Sequence, residues 1–259
     1  LASSRRFDGL RAGETYRVTS DPADGWALIG VTCTNGQVDL EARRVTVVLH
    51  PGEQASCTFR MRVTSLEIVQ DTVPNGPTDF TYDGCAGPSG ALGCGTFALD
   101  DDGTADRTLP DTAVFEELPA GRTFTIAQRS VRGYPLTALS CSTGFVELSA
   151  ARATVVLAPG QQVRCTFTNR TTSLRIIHSV DVVDGQDFTY RGCAGVGGAN
   201  GCGDFVLDGA SSDETVPGNM TFAGLDDGIL YTVTQGEVDG YGSTGLTCTS
   251  GVVERTERQ

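Results

Sequence analysis

The chain has 259 residues, 32 acidic and 19 basic, with a net charge of −13; every basic residue is an arginine and there is no lysine. That balance excludes the basic patches that nucleic acid and anionic membrane require. No run of about 18 apolar residues occurs, so no membrane-spanning helix is expected.

Cysteines recur at a fixed interval. Cys33 and Cys141 are 108 residues apart, as are Cys57 and Cys165, Cys85 and Cys193, and Cys94 and Cys202; Cys248 follows Cys141 by 107. The surrounding text repeats with them: Leu10-Arg11-Ala12-Gly13 answers Leu118-Pro119-Ala120-Gly121, and Thr64-Ser65-Leu66 answers Thr172-Ser173-Leu174. A fixed period of this kind marks one supersecondary unit copied in tandem. The predicted organisation is a partial module over 1–63 with the later strands only, a complete module over 64–171, and a partial module over 172–259 without closing strands. On this reading the sequence is an internal piece of a longer chain.

The first segment offers two cysteines 24 apart, Cys33 and Cys57, each in a β-type run, with the turn His50-Pro51-Gly52 between them. The complete module opens on alternating Leu66-Glu67-Ile68-Val69-Gln70. Asp79–Tyr82 and Thr96–Leu99 flank a glycine-rich loop holding Cys85 and Cys94, like the arms of a hairpin. An acidic turn follows, Asp100-Asp101-Asp102-Gly103. Ala113-Val114-Phe115 leads to the Leu118–Gly121 turn, and Thr123-Phe124-Thr125-Ile126 alternates with period two. Leu136–Cys141, Ala153–Leu157 and Val163–Phe167 complete the unit, the last two separated by Ala158-Pro159-Gly160. Short strands, turns every 8–12 residues and no 3.6-residue period predict an all-β fold of antiparallel β-sandwiches. Links of about four residues between modules, such as Asn169–Thr172, predict neighbours meeting end to end in an extended array.

The cysteine spacing assigns four disulfides, Cys33–Cys57, Cys85–Cys94, Cys141–Cys165 and Cys193–Cys202, with Cys248 unpaired here. The first segment supports that pairing, because it lacks the loop pair and keeps Cys33 with Cys57. Zinc is the competing reading, but structural zinc favours closer cysteine spacing with more Cys or His nearby. The two histidines, His50 and His178, do not occupy equivalent positions. Disulfides imply an oxidising compartment. Each should stabilise by roughly 3 kcal/mol through loop closure.

Aromatic residues also recur in phase: Phe7, Phe115 and Phe222; Tyr16, Phe124 and Tyr231; and Trp26, Tyr134 and Tyr241, each after a glycine. Core packing between sheets is expected of them, with a ligand platform as the alternative. Asp100, Asp102 and Asp106 are candidate calcium ligands on a tight turn, and Asp208, Asp213 and Glu214 form a looser counterpart. The set matches an EF-hand loop only in part, and a plain polar turn is the competing reading. Asn169-Arg170-Thr171 and Asn219-Met220-Thr221 fit the short glycosylation pattern. No catalytic motif is present, so no enzyme activity and no cofactor are expected.

Leu118–Ile126 followed by Gly133-Tyr134, then Leu139-Ser140-Cys141, Val155–Gly160 and Cys165-Thr166-Phe167-Thr168-Asn169, resembles the prealbumin-like repeats of bacterial surface proteins: the B-type repeats of collagen-binding adhesins and the SpaA-type pilin domains. The resemblance implies a Greek-key sandwich, prealbumin-like or Ig-like, in a secreted or wall-associated stalk. Its relatives often carry a Lys–Asn isopeptide bond promoted by a buried acid. Here the lysine position is Gln70 and His178, the acid position is Ser20, Gln128 and Gln235, and the asparagine is Asn169 but Met61 in the first module. Without lysine the bond cannot form, and disulfides are expected to supply the covalent reinforcement.

These features predict a non-enzymatic extracellular structural repeat protein, a rigid stalk or the body of a cell-surface filament. Its partners would be neighbouring modules and other copies of itself, with no nucleic acid and no membrane insertion. The alternative is an adhesin whose modules bind a host, matrix or cell-surface ligand. The small residues of loops Ala86–Gly93 and Ala194–Gly201 favour the spacer.

Overall fold

The computed structural model describes residues 4–102, 109–181, 185–208 and 216–251. The chain divides into two compact units, Leu1–Thr171 and Thr172–Gln259. Among the described residues no helix is long and apolar enough to cross a membrane.

The first unit begins with β1 (Thr15–Thr19), β2 (Trp26–Cys33), β3 (Gln37–Asp39), β4 (Arg44–Val48) and β5 (Cys57–Val63). They form two small sheets, β1-β4-β3 and β2-β5. It continues with β6 (Ser65–Val73), β7 (Phe80–Ala86), β8 (Cys94–Leu99), β9 (Thr112–Phe115), β10 (Thr123–Gln128), β11 (Leu136–Cys141), β12 (Phe145–Glu147), β13 (Arg152–Val156) and β14 (Gln162–Arg170). These build a five-stranded sheet, β12-β13-β10-β7-β8, and a four-stranded sheet, β11-β14-β6-β9. The second unit has β15 (Ser173–Ile177), β16 (Asp187–Ala194), β17 (Cys202–Asp208), β18 (Asn219–Ala223) and β19 (Tyr231–Gln235), in sheets β15-β18 and β17-β16-β19.

Alternation explains the complete sandwich. In β10, Phe124, Ile126 and Gln128 point inward while Thr123, Thr125 and Ala127 do not. Val163, Cys165, Phe167 and Asn169 are the buried face of β14. One core collects Leu66, Ile68, Leu139, Val163 and Phe167 from one sheet against Phe80, Tyr82, Leu99, Phe124, Ile126 and Val155 from the other. Tyr82 and Phe167 meet edge to face across it, with ring centroids 5.1 Å apart. Fully burying each such side chain contributes about 1.5–3 kcal/mol.

The described ladders are antiparallel, as the alternating short strands predict, with one exception. β6 and β14 run parallel over nine residues, from Gln162 opposite Ser65 to Arg170 opposite Val73. They are the first and last strands of the module, so no hairpin turn sets their relative direction. The three-residue strand β12 was not legible in the sequence, because Phe145-Val146-Glu147 is too short to show a period.

Thr64, fully buried, lies between β5 and β6. Its N–H donates to the Gly25 carbonyl at 2.7 Å, its hydroxyl accepts the Gly160 N–H at 2.8 Å, and its carbonyl accepts the Leu118 N–H at 3.1 Å. Two glycines permit this approach. A Cβ on Gly25 would fall 2.4 Å from the Glu117 backbone, and one on Gly160 would fall 2.7 Å from Ala27 Cβ. Glu117 itself adopts φ 57°, where its repeat counterparts Gly9 and Gly224 have φ 73° and 69°.

Candidate functional site

The position of the cross-link in the resembling repeats is occupied here by a buried amide cluster. Gln70 lies on β6, Gln128 on β10 and Asn169 on β14, and alternation turns all three into the core. They are 1%, 7% and 1% exposed, which removes water as a partner. Gln128 Nε2 donates to Asn169 Oδ1 at 2.9 Å and to Gln70 Oε1 at 2.8 Å. Asn169 Nδ2 donates back to Gln128 Oε1 at 3.1 Å and to the Tyr134 carbonyl at 3.0 Å. Gln70 Nε2 donates to Asn169 Oδ1 at 3.0 Å and Thr72 Oγ1 at 2.9 Å. The Tyr82 hydroxyl donates to Gln70 Oε1. Burial drives the Tyr82 phenol well above its ordinary range, offset in part by its hydrogen bond with Gln128, so it remains a donor. The network is fully paired, the condition under which a buried polar group specifies packing instead of opposing it.

An amide nitrogen shares its lone pair with its carbonyl, so neither glutamine can attack Asn169 as an amine would. The cluster holds three strands by hydrogen bonds where an amine would make a covalent link. Tyr82 and Thr72 were not foreseen as members, although the recurrence of Tyr82 as Tyr190 carried the signal.

The other modules fill the position differently. In the second unit His178 Nδ1 pairs with the Tyr190 hydroxyl at 2.5 Å, and its ring packs on Phe188 at 4.2 Å between centroids. Burial lowers the His178 pKa, with Asp208 opposing, and burial pushes the Tyr190 phenol up to about 12. Gln235 lies on β19, exposed. In the first module the Ser20 hydroxyl donates to the Asp21 carbonyl at 3.5 Å, and Met61 is half-buried on β5.

Four disulfides join Cys33 to Cys57, Cys85 to Cys94, Cys141 to Cys165 and Cys193 to Cys202. Each links residues directly opposite one another on neighbouring antiparallel strands. The complete module thus has one staple in each sheet and no bond between the sheets. Cys248 is free and exposed.

The acidic turn is built into the end of the sandwich. Asp100 is fully buried and Asp101 is 9% exposed. Asp101 accepts the Thr72 N–H at 2.6 Å, and the Asp100 N–H donates to the Pro110 carbonyl at 3.3 Å. The Asp208 N–H repeats that bond to Pro217 at 3.2 Å. Burial raises the Asp101 pKa against the Thr72 bond, reinforced by Asp71, Asp111 and Asp100. Asp106, Asp213 and Glu214 lie outside the described residues. Among the described residues no group of three or more acidic, His or Cys side chains is placed to hold a metal.

The recurring aromatics divide. Phe124 is core, and Phe222 and Tyr241 pack on the smaller core around Phe188 and Leu207. Tyr16 and Tyr231 fix turns instead: each hydroxyl accepts a backbone N–H five residues earlier, from Arg11 at 2.7 Å and Asp226 at 2.8 Å. Phe7 is 58% exposed and Trp26 38%. The buried Asn169 cannot receive a sugar, whereas Asn219 is exposed on β18. His50 is exposed and far in sequence from any acid–base set, its N–H held by Glu53 at 2.8 Å.

Residues 66–171 match the family model of the prealbumin-like fold domain, the class to which the SpaA-type repeats belong. No curated protein matches the sequence. Among solved structures the protein is similar to a bacterial adhesin from Mobiluncus mulieris that contains intramolecular disulfide, isopeptide and ester cross-links, at 11% identity and TM-score 0.31, over 51% of this chain and 45% of that one. It is similar also to a streptococcal ancillary pilin, at 12% identity and TM-score 0.30, over 77% and 70%. A third is the major pilin T-13 from Streptococcus pyogenes, at 13% identity and TM-score 0.28, over 70% and 84%. The chain thus spans under half the length of the adhesin it matches.

Proposed function

We propose that the protein is a non-enzymatic extracellular structural protein whose prealbumin-like modules, 1–63, 64–171 and 172–259, serve as a stalk or as the body of a cell-surface filament. The observation that carries this reading is the parallel ladder between β6 and β14. The polypeptide enters the complete module through β6 and leaves it through β14, and nine residues of each strand lie side by side. Tension between the module's two ends therefore loads that ladder in shear, with all its hydrogen bonds sharing the force. The amide cluster bridges the same two strands through Gln70 and Asn169. A domain whose first and last strands lie side by side in one sheet suits load-bearing better than a cleft for chemistry.

The four disulfides support an oxidising, extracellular setting, since such bonds are rare in reducing compartments. The acidic surface supports a setting free of nucleic acid. The partners of the modules would be neighbouring modules and further copies.

Immunogold electron microscopy of the source cells tests this, with antibody raised against residues 64–171. Label along extended structures outside the cell is expected; label confined to the cell interior overturns the reading.

The second reading, an adhesin module, draws on one patch. Phe145 is 67% exposed and Val156 57% on the outer face of the five-stranded sheet. Phe145 borders a shallow cavity of about 410 Å³ that also touches Cys85, Thr125, Arg152 and Thr154. A single exposed aromatic beside a cavity is small for an interaction surface. Binding of the protein to extracellular-matrix arrays, lost in Phe145→Ser, is the outcome that would favour it.

A further inference from the structure

We infer that the outer face of the five-stranded sheet carries a shallow site for a neutral sugar ring, set between Phe145 and the Cys85–Cys94 loop. One row of residues crosses the sheet there. Phe145 stands opposite Thr154, Thr154 opposite Thr125, Thr125 opposite Cys85 and Cys85 opposite Cys94. Thr125 and Thr154 form the floor of the shallow cavity on this face, Phe145 and Arg152 one wall, and Ser89 with Gly90 the other. Its volume of about 410 Å³ is small for a protein partner and within the range of small-molecule sites.

Neither wall is required by the fold. The loop is pinned onto the disulfide, since a Cβ on Gly90 would fall 2.7 Å from Cys94 Sγ. Ser89 in that loop holds φ 50°, a left-handed conformation that costs about 1–2 kcal/mol for a residue with a side chain. Its repeat counterpart Gly197 holds φ 61° without that cost. The turn needs its backbone and not the serine, and what the serine adds is a hydroxyl at the cavity. On the other wall, the repeat counterpart of Phe145 is Gln37, which makes the same strand pairing, opposite Thr46. The sheet therefore does not need an aromatic ring that is 67% exposed. The floor differs as well, with Arg17 in the first module at the position of Thr125.

The groups present match the two aspects of a sugar. A pyranose offers an apolar face of C–H groups, which stacks on an aromatic ring, and a rim of hydroxyls that both donate and accept. Phe145 supplies the ring. The hydroxyls of Ser89, Thr125 and Thr154 have no hydrogen-bond partner among the described residues, and each can donate and accept. Arg152 adds N–H donors, oriented by its ion pair with Glu147 at 2.6 Å. Charge selects against an anion. Glu147 already neutralises Arg152, and the chain carries a net charge of −13. The inference names a ligand class for the patch on which the adhesin reading draws and rests on that reading for its setting; the stalk reading does not depend on it.

The test is an array of neutral and sialylated glycans probed with the 259-residue protein, together with saturation-transfer NMR using the methyl glycosides of glucose, galactose, mannose and N-acetylglucosamine. Binding to neutral glycans is expected, with transfer strongest at ring C–H protons. Phe145→Ala should weaken it about fivefold, the scale of one aromatic contact, and Thr125→Val with Thr154→Val should weaken it as well. Val156→Ser, on the same face and 57% exposed, should leave it unchanged. Absence of binding to any neutral glycan overturns the site. Binding that is unaltered in Phe145→Ala, or confined to sialylated glycans, overturns it too. Matrix-array binding lost in Phe145→Ser without glycan binding overturns the sugar and leaves the adhesin reading standing, and surface labelling tests the stalk separately.

Discussion

Gln128 and Asn169 hold each other by two hydrogen bonds, one in each direction, at 2.9 and 3.1 Å. They lie 41 residues apart in sequence, and they join the two sheets near the strand ends of the sandwich. Replacing Asn169 by Leu strands the Gln128 carbonyl and the Tyr134 carbonyl, its two hydrogen-bond acceptors. A buried polar group left without its bond costs about 1–3 kcal/mol, so a loss near 3 kcal/mol is expected. Equilibrium unfolding in urea measures it. A neutral effect would show that the cluster does not contribute to holding the sheets together.

The cluster also defines what a cross-link would require. In Gln70→Lys with Gln128→Glu, the amine on β6 can attack Asn169 Cγ while the new carboxyl relays its proton. A new amide bond forms between the amine nitrogen and Cγ, the bond from Cγ to Nδ2 breaks, and ammonia leaves. Intact-mass measurement should show the loss of one ammonia, and the double variant should melt higher than the parent. An unchanged mass in a folded double variant would place the three side chains outside reacting geometry.

The disulfides lock opposed strands, so they shorten what force can extend. In the complete module they close loops of nine and 24 residues. Single-molecule stretching under reductant should lengthen the unfolding step of this module by about 115 Å, at roughly 3.5 Å per residue. Reduction should also lower its thermal midpoint, each closure being worth roughly 3 kcal/mol in the chain-entropy model. Equal steps with and without reductant would contradict the pairing.

His178 makes the second unit sensitive to acid. Its folded pKa lies below the ordinary 6.5 because burial disfavours the charged ring. A histidine held neutral contributes stability that is complete above the unfolded pKa and is lost as pH falls below it. Hydrogen-exchange protection factors at residues 185–208 should therefore fall below about pH 6.5, while those of β10 and β14, packed around neutral Gln70, should not respond in that window. His178→Gln should remove the dependence. An identical pH response in both units would assign it to another group.

The junction at Thr64 depends on the absence of a side chain. Gly25→Ala puts a Cβ into the Glu117 backbone and should loosen the first module from the second, read as faster exchange at the Thr64 amide. Glu117→Gly releases a left-handed residue that costs about 1–2 kcal/mol, against about 0.5–1 kcal/mol of added chain entropy. A gain of roughly 0.5 kcal/mol is expected in a urea titration. Destabilisation by Glu117→Gly would show that its side chain matters more than its backbone.

Strand alternation at Thr123–Ile126 and Val163–Phe167 made the all-β sandwich legible in the sequence, because a side chain's face is set by its position along one strand. The absence of lysine, read directly from the sequence, settled that no lysine-based cross-link can form. Three features needed the tertiary structure. The parallel match of β6 with β14 joins the two ends of the module, and no turn between them dictates direction. The enclosure of Gln70, Tyr82, Gln128 and Asn169 in one paired network depends on strands arriving together from both sheets, since each amide alone reads as a polar residue at a strand end. Trp26 shares the repeat phase of Tyr134 and Tyr241, which pack on the two cores, yet remains 38% exposed. Phase fixes which face a side chain takes, but burial requires an opposing sheet to cover that face.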